Sequence, residues 1–127
     1  MRRVAILLLL LVGMVSTASA DQAPRKYVIF FQEWSAGVDG PAEEIIAQIA
    51  KIARSESGTL HVIGFADPTG SKQANILLSE LRAQRVVDLL ADAGVAPARL
   101  MLRGKGPVQF AISSQEARRV EISFHKR

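Results

Sequence analysis

The sequence predicts an α/β (α+β) fold, a two-layer sandwich in which a four-stranded mixed sheet carries two helices on one face. Its 127 residues are enough for one small domain. Apolar runs rich in β-branched residues alternate with helical patterns in the order β-α-β-α-β-β. Two helices are too few to cover both faces of four strands, so we expect both helices to pack on the same face.

The first half of the domain contains a strand, a loop and a helix. Tyr27 to Phe31 is an unbroken apolar run, which predicts a strand buried on both faces, as in the centre of a sheet. A loop follows from Gln32 to Gly40. Pro41 favours the first turn of the next helix, whose isoleucines recur at helical spacing until Ser57-Gly58 ends it. We expect a right-handed crossover from this first strand to the second.

The second half contains a strand, a long helix and two further strands. Thr59 to Phe65 predicts the second strand, and the composition of Asp67 to Gly70 predicts a turn. A helix is expected from about Lys72 to Asp92. Leu100 to Arg103 predicts a short third strand that ends at the glycines behind it. The last strand alternates apolar and polar side chains up to Phe124.

Residues 1–20 have the three parts of a secretory signal peptide. A cationic start precedes a nearly unbroken apolar run from Val4 to Val15, and small residues form an A-x-A cleavage site before Asp21. A membrane-spanning helix needs about 20 apolar residues, so this run is too short, and an uncleaved anchor is the alternative. We therefore expect a cleaved signal, a short polar lead over residues 21–26, and one domain over residues 27–127 of an exported protein without a spanning segment.

Composition argues against several kinds of function. Cysteine is absent, which removes disulfides, thiolate metal ligands, cysteine nucleophiles and lipid attachment at an N-terminal cysteine. Without the two arginines of the leader, 14 basic residues face 12 acidic ones with no polybasic block, so no nucleic-acid partner is expected. His61 has no acidic or histidine neighbour at metal-ligand spacing, and His125 lies at the terminus. Neither a metal site, a cofactor nor a catalytic triad is predicted.

One charged pair is a candidate binding site. Asp67 directly follows the second strand, and Arg82 projects fifteen residues later from the helix that leaves the same end. If the loop folds back, the two side chains lie together at one rim. Asp67 then accepts hydrogen bonds from an ammonium, and Arg82 donates two parallel bonds to a carboxylate, so the pair clamps a zwitterion. The alternative is a turn aspartate that caps the helix beside a surface arginine.

At these residues the chain resembles the OmpA C-terminal-like domain, the peptidoglycan-associating module that is also found in Pal lipoproteins and flagellar stator proteins. The core motif of that family is G-[HYF]-T-D-x-x-G, followed by N-x-x-L-S-x-x-R-A-x-x-V. Gly64 to Gly70 match its first part except at Ala66, and Asn75 to Val86 match its second part. Later signatures of the family are matched by Arg103 to Gly106 and by Arg118 to Ile122. The resemblance covers about residues 27–124.

The resemblance implies a noncatalytic module that binds peptidoglycan noncovalently. In the family, the residues that match Asp67 and Arg82 hold the ammonium and carboxylate of diaminopimelate in the stem peptide. The implied location is the periplasm of a Gram-negative envelope, with or without peripheral association with the outer membrane. The implied partners are the stem peptide and an envelope protein complex. Four further residues are expected to line the ligand: Trp34, Phe65, Asn75 and Arg118.

The chain departs from the family pattern near the expected site. Ala66 replaces the threonine that usually precedes the aspartate, and Trp34 lies in an altered first loop. Pro107 and Ala117 replace a glutamate and an asparagine. These departures motivate an alternative, an adaptor subunit of a cell-envelope complex that keeps the fold with weak or no wall binding. An enzyme is the third hypothesis, and no recognisable nucleophile-base arrangement supports it.

Overall fold

The chain folds into one mixed four-stranded sheet with helices, which confirms the predicted α+β class. The computed structural model describes residues 23–109 and 113–127. The expected signal peptide and the start of the polar lead lie outside these ranges, within which no helix has the length and apolarity to cross a membrane. The elements are β1 (Arg25–Phe30), α1 (Gly40–Ser55), β2 (Gly58–Ala66), α2 (Lys72–Asp92), a 3₁₀ turn (Pro97–Arg99), β3 (Leu100–Pro107), α3 (Ser114–Ala117) and β4 (Arg119–Lys126).

The strand order β1-β4-β2-β3 corrects the predicted position of the first strand. β1 lies at an edge of the sheet, antiparallel to β4, and Val28 and Phe30 are 40% and 49% exposed. Its apolar run is continuous although only one face of the strand contributes to the core. The crossover through α1 therefore passes over β4, which separates β1 from β2. β2 and β3 are parallel neighbours joined through α2, and β4 runs antiparallel to β2.

The core lies between one face of the sheet and the two long helices, as predicted. Alternate residues of the strands meet the apolar stripes of α1 and α2, and these side chains are almost completely buried. Their burial removes apolar surface from water, which is the main force that holds the two layers together. The principal core residues are Ile29, Ile46, Ile49, Leu60, Val62, Val86, Leu90, Val120, Ile122 and Phe124.

Two glycines let α2 approach the sheet closely enough to place its side chains over the end of β2. A Cβ atom on Gly64 would lie 1.9 Å from the carbonyl oxygen of Ser79, and one on Gly104 would lie 2.8 Å from the backbone nitrogen of Glu80. Gly104 therefore serves close packing inside β3, and the prediction that the third strand ends before it is wrong. β3 continues to Pro107. The short 3₁₀ turn and α3 were not predicted.

Candidate ligand-binding site

The loop between β2 and α2 fixes the carboxylate of Asp67. One carboxylate oxygen accepts hydrogen bonds from the backbone nitrogen of Thr69, at 3.1 Å, and from its hydroxyl. Asn75 donates from Nδ2 to the carbonyl oxygens of Thr69, at 2.5 Å, and Ser71, at 3.1 Å. Ser71 also caps α2 by accepting from the backbone nitrogen of Ala74. Asp67 is only 5% exposed, so the loop holds its side chain in one position.

Arg82 lies completely buried in the middle of α2 and binds three main-chain carbonyls. Its Nε donates to the oxygen of Ser35 at 2.8 Å, and its Nη2 donates to that of Gln32 at 3.0 Å. Its Nη1 donates to the oxygen of Phe65 at 3.1 Å. Arg82 therefore joins the β1–α1 loop to the end of β2, and it is not a surface arginine.

The ion-pair partner of Asp67 is Arg118, which lies between α3 and β4. Its Nη1 is 3.5 Å from Oδ2 of Asp67, whereas no ion pair joins Asp67 to Arg82 in the described part of the chain. Arg118 is held by hydrogen bonds from Nε to the carbonyl of Phe31, at 3.1 Å, and from Nη1 to the hydroxyl of Ser114, at 3.0 Å. Charge-assisted hydrogen bonds are usually about 2.7–2.9 Å long. The contact between Asp67 and Arg118 is therefore longer than a normal charge-assisted hydrogen bond.

The site has an excess of positive charge. Burial lowers the pKa of Arg82 to about 10, with a smaller contribution from the positive charge of Arg118 and an opposing one from Asp67. Arg82 nevertheless remains protonated at neutral pH. Two guanidinium groups thus lie near a single carboxylate, so an additional anionic group in this site would be electrostatically favoured.

The stability of the protein is expected to depend on pH through Asp67. Burial alone would raise the pKa of this carboxyl, but hydrogen bonds from Thr69 and the nearby Arg118 outweigh burial and hold the pKa below its ordinary value of 3.8. The stabilisation that ionised Asp67 gives the folded protein is complete above pH 3.8. It is lost as the pH falls through the lower pKa that Asp67 has in the folded protein. The free energy of unfolding in urea should therefore fall more steeply below pH 3.8 in the wild type than in Asp67→Asn. Parallel curves for the two proteins would contradict this assignment.

Trp34 and Phe65 border this network in different ways. Trp34 adopts a positive φ of 51° and remains 53% exposed. Its ring lies against Gly70, where a Cβ atom would be 2.6 Å from Cη2 of the indole. Phe65 is buried, and its ring packs 4.2 Å below the guanidinium of Arg119. Trp34 therefore presents an exposed aromatic surface next to the Asp67 loop, whereas the ring of Phe65 packs beneath Arg119.

Of the predicted site residues, Arg118 contacts Asp67, Asn75 bonds the Asp67 loop, and Trp34 packs against Gly70 of that loop. Arg82 contacts the main-chain carbonyl of Phe65, whose ring packs elsewhere.

The structure also adds contacts that the sequence analysis missed. Thr69 binds Asp67, and its position in a D-P-T-G turn is a signal that could have indicated this bond. The carbonyl groups of Gln32 and Ser35, which bind Arg82, have no side-chain signature in the sequence.

The fold and the site together define a small α+β binding domain in which a carboxylate and two guanidiniums meet beyond the end of a central strand. The chain belongs to the OmpA family, whose model matches residues 30–122.

Relatives of known sequence and structure agree with this assignment. Outer membrane protein 40 of Porphyromonas gingivalis is 34% identical over 80 residues, which cover 62% of this chain and 21% of that protein. The chain spans less than half the length of the curated relatives it matches. The peptidoglycan-associated lipoprotein from Burkholderia pseudomallei has the same fold, with a TM-score of 0.71, 21% identity, and coverage of 76% of this chain and 88% of that one. The cell wall anchor of the type VI secretion system from Pseudomonas aeruginosa has a TM-score of 0.68 and 26% identity, with 83% of each chain covered.

Proposed function

We propose that this chain is an exported, noncatalytic module that associates noncovalently with peptidoglycan by holding the diaminopimelate of the stem peptide. The observation that carries the proposal is the long ion pair between Asp67 and Arg118, whose charged atoms are 3.5 Å apart, with Arg82 buried beside it. This arrangement combines a fixed acceptor for an ammonium with an excess of positive charge for a carboxylate. Membership of the OmpA family supports it.

Two of the similar structures also support a role at the cell wall. One is described as a peptidoglycan-associated lipoprotein and the other as a cell wall anchor. Several curated relatives are named as outer membrane proteins. These names support the proposal that this chain acts in the periplasm, where the signal peptide expected from the sequence would direct it.

The proposed binding step is an exchange of partners between two ion pairs. The side-chain end of diaminopimelate carries an ammonium and a carboxylate on one carbon. The ligand ammonium replaces Arg118 as the partner of Asp67, and the ligand carboxylate replaces Asp67 as the partner of Arg118. Because the bond between Asp67 and Arg118 is long, little hydrogen-bond energy is lost in the exchange. Arg82 has five N–H groups, of which its three main-chain bonds use three, and it adds a second positive charge.

Calorimetric titration of the purified protein with a soluble stem tripeptide tests the proposal. The matched control is the same tripeptide with lysine in place of diaminopimelate, since lysine keeps the ammonium and lacks the adjacent carboxylate. Hydrogen bonds to charged groups contribute about 1.5–3 kcal/mol each. The diaminopimelate peptide should therefore bind at least about tenfold more tightly than the lysine peptide.

Equal affinity for the two peptides would contradict the proposal that the site holds both the ammonium and the carboxylate of diaminopimelate. If the folded protein binds neither peptide, the adaptor hypothesis takes the place of the proposed function. In that case the OmpA-like fold would serve contacts with an envelope complex.

A further inference from the structure

On the face of the sheet opposite the two long helices, here called the outer face, two histidines that are remote in sequence are in contact, and Met101 lies on the neighbouring strand. His61 on β2 and His125 on β4 have ring centroids 4.2 Å apart, with the rings tilted by 45°. His61 is also the direct partner of Met101 on β3. Paired residues on neighbouring strands present their side chains to the same face, so Met101 lies beside His61.

These three side chains are accessible and have the donor atoms of a soft-metal site. His125 is exposed, His61 is partly exposed, and Met101 is 49% exposed. Two imidazole nitrogens that bind one metal at about 2.0–2.1 Å lie about 3 Å apart, a separation that rings 4.2 Å apart can provide. Met101 contributes a thioether on an unbranched, flexible side chain.

We propose that His61, His125 and Met101 form a binding site for a monovalent copper ion on the outer face of the sheet. The site would take Cu(I) through two neutral imidazoles and one thioether. The described residues contain no group of three His, Cys, Asp or Glu side chains placed for a metal, and methionine supplies the third ligand here.

The charges on the outer face favour a singly charged soft ion over zinc or magnesium. The ligand set is neutral, and thioether sulfur selects Cu(I). Lys26 pairs with Ser123, which in turn pairs with His61, so a cation lies in the same cross-strand row. The carboxylate of Glu121 on this face is paired with Arg119 at 3.0 Å. A divalent ion would meet greater repulsion from Lys26 without a carboxylate in its ligand set to offset that repulsion.

An anaerobic titration with Cu(I) tests this site. The purified full-length chain competes with the chromogenic chelator bicinchoninate, and the wild type should take up one equivalent of copper. His61→Gln and His125→Gln should each weaken Cu(I) binding at least tenfold. Met101→Leu, which removes the sulfur at nearly constant volume, should weaken Cu(I) binding about tenfold and change Cu(II) binding less than twofold.

Two outcomes would overturn the proposal. One is a wild type that takes no Cu(I) from the chelator, and the other is copper affinity that all three variants retain. Circular dichroism shows whether each variant is folded. Because the copper site and the peptide site share no residue, a folded variant should also still bind the diaminopimelate tripeptide. Loss of copper binding with retained peptide binding therefore concerns this site alone.

Discussion

Replacing Asp67 by asparagine is expected to weaken binding of the diaminopimelate tripeptide by about ten- to a hundredfold. The amide oxygen still accepts from Thr69, so the loop keeps its local hydrogen bonds. The neutral side chain nevertheless has no charge to hold the ligand ammonium, and loss of a charge-assisted hydrogen bond removes about 1.5–3 kcal/mol. Calorimetric titration of the variant against the wild type measures the effect.

Asp88→Asn is the matched control for this prediction, because Asp88 is exposed on α2 and bonds Gln84 instead of the site. It should bind the tripeptide like the wild type. If folded Asp67→Asn binds the tripeptide with an affinity within threefold of that of the wild type, Asp67 does not bind the ligand ammonium.

Replacing Arg82 by methionine is expected to lower the free energy of unfolding by about 3–5 kcal/mol. Methionine fills much of the buried volume but leaves the carbonyls of Gln32, Ser35 and Phe65 without the donors they have in the wild type. An unsatisfied buried polar group costs about 1–3 kcal/mol. Urea unfolding monitored by Trp34 fluorescence and by circular dichroism measures the loss.

Two further variants separate the hydrogen bonds of Arg82 from its charge. Arg82→Lys keeps the charge but cannot reach three carbonyls at once, so an intermediate loss is expected. Arg85→Met changes an exposed arginine of the same helix and should alter stability by less than about 0.5 kcal/mol. A loss below 1 kcal/mol in Arg82→Met would show that the three bonds contribute little to the free energy of unfolding.

Because Arg82 supports the fold, loss of wall binding in an Arg82 variant is informative only when that variant is shown to be folded.

The long helix could be predicted from local sequence, whereas the place of the first strand could not. α2 has the predicted bounds because Ser71 caps its start and Gly94, with a φ of 98°, follows its end. The edge position of β1 depends on pairing with β4, almost one hundred residues away, and no local pattern contains that information. The glycines of β3 indicated a turn, but Gly104 is required by contact with α2.

Prediction of the site was limited in the same way. Asp67 and Arg82 were selected from a motif on adjoining elements, β2 and α2. Arg118 comes from a short segment fifty residues further along, so its role as the ion-pair partner of Asp67 depends on the tertiary fold. The proposed copper ligands lie on three strands, and their separation in the sequence explains why spacing predicted no metal site.

Co-sedimentation with purified sacculi tests the central claim most directly. The wild-type protein and Asp67→Asn are each mixed with sacculi whose stem peptides contain diaminopimelate, and with sacculi whose stem peptides contain lysine. We predict that only the wild type sediments, and only with the diaminopimelate sacculi. Equal sedimentation of the folded wild type and Asp67→Asn, or of the wild type with both kinds of sacculi, would contradict the proposed clamp.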